Sequence, residues 1–295
     1  MPVGLIAPAL GEPGLTGRRT ACPPGDPLPL PGRNPVPGLR PRTYPDHMQL
    51  KISSLADRPD MLERVVGMAD TWPEFVIQDL VGAAHFPRIA AELPEYVLFA
   101  EDEQGEIVAN AYSVPFALGT ERRGGRLPGN GWDAMLVWAF SDLRRGIRPD
   151  TVSAVSVSIA PRAQGRGLSA VMLSAMRDNA RARGFREVVA PVRPNAKHLE
   201  PRTPMEEYAH RVRPDGLPQD PWLRVHARAG ATIDSVAPAS MTVSAPLADW
   251  RRWTGLPFDT DGDVEVPGAL VPVRCEVERG YAVYVEPNVW MRHPL

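Results

Sequence analysis

From Met48 onward, apolar and polar positions alternate in short regular blocks. A first strand fits Met48 to Ser53. Leu62, Val65, Val66 and Ala69 then recur at helical spacing behind Asp57 and Pro59, which suit a helix start. A second helical region spans Pro73 to Leu93 and is interrupted by Pro87. Two strands follow, Tyr96 to Ala100 and Ile107 to Phe116, joined through Glu103-Gln104-Gly105 in a hairpin pattern. Trp132, Met135, Leu136, Ala139, Phe140 and Leu143 make one apolar face of a helix ending near Arg145. Packing over a sheet edge is its expected role; a wall over a ligand site is the other.

The pattern is densest between Thr151 and Arg193, which reads strand, glycine turn, helix, strand. Val152 and Ala154 are the first apolar members of the strand, then the phase changes to Val155, Val157 and Ile159. Such a slip requires either a bulge or burial on both faces. The turn Pro161-Arg162-Ala163-Gln164-Gly165-Arg166-Gly167 opens an amphipathic helix that carries Leu168, Val171, Met172, Ala175 and Ala182 on one face and stops at Gly184. Glycines there let a ligand approach the backbone, and the first amides of the helix attract anions. Arg162 and Arg166 add guanidinium charge suited to phosphate.

Spacing narrows the choice of phosphorylated ligand. No Walker A run is present, and the dinucleotide pattern is incomplete, since Glu187 stands at the start of the next strand rather than its end. The spacing R-x-x-G-x-G at Arg162, Gly165 and Gly167 resembles the pyrophosphate loop of the GNAT superfamily of acyl-CoA-dependent acyltransferases. Asn195 and the segment Trp222 to Gly230 are also similar to that family, with His226 where a tyrosine is usual. The resemblance covers about Met48 to Ser244.

It implies an α/β (α+β) fold: a central mixed, mostly antiparallel sheet with a splayed strand pair, flanked by helices. It further implies acetyl-CoA or another acyl-CoA as cosubstrate, held by Val157, Ser158, Ile159, Arg162, Gln164, Gly165, Arg166, Gly167, Leu168, Ser169 and Asn195. No metal is implied. His226 would protonate the departing thiolate, and Glu206 and His198, with Glu207 and His210, are candidate bases in the ionisable stretch from Arg193 to Pro221. The acceptor would be a small-molecule amine, attacked directly. Absence of the tyrosine keeps a second reading open, a non-catalytic acyl-CoA sensor on the same scaffold.

Composition adds limits. Thirty-three basic against 35 acidic residues give a net charge of −2, with no basic block suited to nucleic acid. No apolar stretch has the length of a membrane span. Cys22 and Cys275 form neither a disulfide framework nor a metal knot, so a cytoplasmic setting is expected. A homodimer is compatible with all of this. Residues 1–47 hold 12 of the 34 prolines and no apolar period, so they are expected to be disordered, or to precede a true start at Met48. Residues 48–244 form the expected acyltransferase domain, which ends in a strand from Ala231 to Ser244; 245–295 are an extension outside the family core that packs on it, with a helix from Pro246 to Trp253 and closing strands around Glu278-Arg279-Gly280.

Overall fold

A computed structural model describes residues 42–43, 49–68 and 72–295 of the chain. The expectations for Cys22, Ala69, the start at Met48 and most of the proline-rich segment lie outside these residues. The described strands begin with β1 (Arg42–Thr43), β2 (Gln49–Ser54), β3 (Val97–Glu101), β4 (Ile107–Phe116), β5 (Thr151–Ile159) and β6 (Glu187–Val192). β7 (Thr232–Pro246), β8 (Gly262–Val264), β9 (Val273–Glu276) and β10 (Tyr281–Pro294) complete them. Between these lie α1 (Leu62–Val66), α2 (Leu80–Glu92), α3 (Gly131–Arg145), α4 (Leu168–Ala182), α5 (Met205–Ala209), α6 (Pro221–Arg228) and α7 (Leu247–Thr254).

One sheet organises them, in the order β1-β2-β3-β4-β5-β6-β10-β9-β8, with β7 along β10. Every pairing is antiparallel except β5 with β6. β10 reaches the middle of this sheet: Val289 to Pro294 pair with β6 and Tyr281 to Arg292 with β7. The last fifty residues therefore supply a central strand rather than an appended extension. Arg292 pins the three strands, meeting Glu187 at 2.9 Å and Asp234 at 2.7 Å.

Two apolar clusters result. The larger lies between β2–β6, α2, α3 and α4 and includes Phe99, Met135, Leu136, Met172 and Val189. The smaller gathers Phe75, Trp250, Phe258, Cys275 and Tyr284 around β7, α7, β9 and the start of β10. Trp132 packs against both. The loop from β4 to α3 is fixed by Arg123, which binds Asp142 of α3 at 2.8 Å and lies over the Trp138 ring. Pro87 sits inside α2 without ending it.

α3 meets β7 so closely that its first residue must lack a side chain. Gly131 has φ +25°, and a Cβ there would overlap the Ser240 hydroxyl and come within 2.7 Å of the Ser240 Cβ. Ser240 cannot yield, because it is fully buried and bonded to Trp132 N at 2.9 Å and to Asn288 at 2.6 Å. Gly131→Ala is expected to destabilise the fold by about 2–3 kcal/mol, measured by denaturant unfolding; a loss under about 0.5 kcal/mol would mean that the contact is loose.

Candidate active site

The phase change read in β5 is a bulge. Tyr112 faces Ser156 and Ser113 faces Ala154, leaving Val155 with no opposite residue. At the same point β5 leaves β6, whose parallel pairing ends at Val152–Val188 and Ser153–Val189. Burial follows: Thr151 to Ala154 are buried, and Val155 to Ile159 are half-exposed. A V-shaped opening is thus built between β5 and β6, with its mouth at their C-terminal ends.

Backbone direction decides what the opening offers. Ala160 N donates to Val108 O at 2.9 Å, so its amide points to β4. Successive residues of a strand point to opposite edges; Ser158 and Ser156 therefore also face β4, while Val155, Val157 and Ile159 face the opening. Two side chains meet this edge. The Trp132 indole donates to Val155 O at 3.0 Å, and Gln164 Nε2 donates to Ile159 O at 3.3 Å. Between them stands Val157, with its N–H directed at the cleft. Of the expected strand residues, Val157 and Ile159 present their amides, and Ser158 does not.

Beyond Ile159 the chain enters the glycine turn. Gly165 and Gly167 adopt φ of 78° and 76°, a region costly for residues with a Cβ. The first backbone bonds of α4 run from Ala170 and Val171 to Gly167 O, so the amides of residues 165–169 precede the helical ladder. Leu168 is buried and anchors the turn, whereas Gly165, Arg166 and Gly167 are exposed and Ser169 is partly so. This is an anion cradle at the head of a 15-residue helix. Arg162 is less available than its spacing implies, because it pairs with Asp102 at 3.0 Å; against burial, which raises that carboxyl's pKa, the Glu106 amide and then Arg162 hold it low. Asn195 is exposed at the same mouth, just past β6.

The expected acid–base residues are placed differently. His226 lies in the second turn of α6 with only 2% of its surface exposed, its Nδ1 2.8 Å from Nε2 of His293. His293 faces Val188, at the end of β6 away from the mouth. Burial pushes His226 down to about 3 and His293 to about 4. A neutral imidazole sealed at the closed end does not meet the expectation of an imidazolium serving the thiolate. Glu206 and Glu207 are exposed on α5, with Glu207 bound to Arg211, and His210 Nδ1 lies 2.8 Å from Glu206 O. His198 stays near the mouth, with Nδ1 3.0 Å from Asn195 O.

Several residues to which the sequence reading gave no individual role are tied together around the end of β6. Arg193, at the end of β6, binds Glu286 at 2.9 Å, and Glu286 accepts from the Tyr284 hydroxyl at 2.7 Å. Lys197 is wholly buried and donates to Glu200 O and Leu270 O, both at 2.7 Å, tying two surface loops together. Asp220 caps α6 and also holds Ala196 N and the Tyr208 hydroxyl.

Comparison with known proteins agrees with this geometry. No family model matches the chain. An arginine N-acetyltransferase, avaD of Aspergillus versicolor, is 31% identical over 276 residues, covering 83% of this chain and 93% of that protein. The chain belongs to the GNAT superfamily. Among solved structures, the loading GNATL domain of CurA from Lyngbya majuscula superposes with a TM-score of 0.52 at 20% identity, over 84% of this chain and 98% of that one. The GphF GNAT-like decarboxylase in complex with isobutyryl-CoA gives 0.50 at 18%, over 83% and 98%. These two share the fold. This GNAT protein is an acyl-CoA-dependent N-acetyltransferase, and the comparisons give the non-catalytic alternative no support. No described helix is long and apolar enough to cross a membrane.

Two outcomes follow from these placements. A side chain at Gly167 both strains the turn and enters the cradle, so Gly167→Val should weaken acyl-CoA binding at least about tenfold in calorimetry while the fold persists; equal affinity would remove the turn from the site. The buried histidines give a signed pH effect. Their folded pKa values lie below the unfolded value of about 6.5, so the unfolded chain binds more protons in acid. Their contribution is complete above about pH 6.5 and is lost as pH falls toward 4. Melting temperature should drop across that window and drop less in His226→Asn; parallel curves would show that the pair does not titrate on unfolding.

Proposed function

We propose that the protein transfers the acetyl group of acetyl-CoA to a nitrogen of a small cationic acceptor of the arginine class, by direct attack. The observation that carries this reading is the alignment, on one continuous segment, of an inward amide at Val157 with the anion cradle at residues 165–169. The cradle suits the pyrophosphate of the cosubstrate, and the Val157 amide suits the thioester oxygen as it gains negative charge. Acetyl-CoA supplies an activated acyl carbon. The protein positions it, holds the oxyanion and guides the acceptor nitrogen to it. A C–N bond forms as the C–S bond breaks; the nitrogen sheds a proton and the thiolate gains one.

The arginine class rests on the 31%-identical relative named for arginine acetylation. For proton removal His198 is the better placed of the two named bases, since it borders the mouth and Glu206 faces solvent. A cytoplasmic setting suits Cys275, a free thiol in the smaller core.

The test is thiol release from acetyl-CoA with arginine, agmatine and neutral amines, on the full chain. Release that depends on a cationic acceptor, with an N-acetyl product by mass spectrometry, is expected. Calorimetric binding of acetyl-CoA without release from any acceptor would overturn the transfer reading; release only with neutral amines would overturn the acceptor class.

A further inference from the structure

Where α2 and α3 begin, the carboxyl groups of Asp79 and Asp133 meet. Asp79 is 98% removed from solvent, and its Oδ2 caps α2 by accepting Gly82 N at 2.5 Å. Asp133 lies in the first turn of α3, its Oδ2 accepting Thr242 N at 3.2 Å. The other oxygen of each, Oδ1, is buried and has no donor from the rest of the protein, and the two side chains interact directly with each other. Two bare carboxylates in such contact require a positive charge, either a proton or a cation.

The location says which. Asp133 lines a cavity of about 390 Å³ with Val81, Asn130, Val137, Trp138 and Thr242, so its carboxyl, with Asp79 buried behind it, opens to a space larger than a proton needs. The residue before it, Trp132, reaches the bulge carbonyl at Val155. Gly82 permits this crowding: a Cβ there would lie 3.0 Å from the Trp132 ring and 3.1 Å from Asp79 Oδ2. The described residues contain no group of three His, Cys, Asp or Glu side chains that could hold a metal ion. An organic cation bringing its own N–H donors fits two carboxylates better than a metal ion does.

We propose that Asp133, backed by Asp79, is the subsite that receives the positively charged group of the acceptor and orients its reacting nitrogen past Trp132 toward Val157. This rests on the acetyl-transfer reading above. Before the acceptor enters, the pair holds a proton: burial, and next the Asp79 charge, push Asp133 up to about 8. The surrounding ionisable groups are His85 of α2, near Asp79, and Glu286 of β10, itself bound by Arg193 and Tyr284. Entry of a cation displaces that proton, so acceptor binding weakens as pH falls below about 8.

Steady-state kinetics with acetyl-CoA and L-arginine, from about pH 6 to 9, compare the wild type with Asp133→Asn and with Asp79→Asn, which keeps an oxygen for the α2 cap. The expected result is a rise of about tenfold or more in the arginine KM, kcat within about threefold, an unchanged acetyl-CoA KM, and loss of the pH dependence of the arginine KM in Asp133→Asn. L-Citrulline, the neutral isostere, should bind poorly to the wild type and no worse to the variant. An unchanged arginine KM, or a loss confined to kcat, overturns the subsite. If the wild type acetylates no cationic acceptor, the transfer reading fails separately. Calorimetry then decides the subsite: arginine binding by the wild type and not by Asp133→Asn supports it, and binding by neither, or by both alike, overturns it.

Discussion

A single hydrogen bond, from the Trp132 indole to Val155 O, sits at the point on which the rest of the site depends. A bulged strand leaving its neighbour exposes carbonyls and amides that must be paired or hydrated. Trp132 satisfies the bulge carbonyl with a side chain rooted in α3, whose backbone is in turn bonded to Ser240 of β7. The opening is therefore held by the protein itself, not left for the cosubstrate to create. One residue also joins the two apolar clusters, so the shape of the cleft and the packing of both cores are coupled.

Much of this was legible in the chain. The strand-to-helix order, the glycine turn and the slip after Ala154 all appear where the alternation places them, because each depends on neighbours within a few residues. The helix ending near Arg145 also forms as read, packing on α2, β4 and β7. What its periodicity hides is that Trp132 belongs to an apolar stripe and also uses its one polar atom on a distant strand. Asp79 carries a recognisable cap signal, but its meeting with Asp133 depends on how two helices dock.

His226 shows the limit from the other side. Its position in the helix suggests catalysis, yet the deciding fact is His293, brought beside it by β10. Arg162 is similar: its spacing fits a phosphate, and Asp102 from the β3–β4 turn takes part of its charge. In each case a charge or proton inferred from local pattern is reassigned by a strand that the pattern cannot place.

The position of β10 has a consequence for how the molecule comes into being. β6 is flanked by β5 over only two register pairs, and its other edge stays bare until residues past 280 arrive. During synthesis the ribosome releases nearly a hundred residues between Arg193 and Glu286 before those two can meet. Until then β6 presents an apolar, unpaired edge, the kind that recruits wrong partners. The site near the middle of the chain is thus completed by β10, and a translation product interrupted before it would hold the whole glycine turn while leaving β6 without its antiparallel partner.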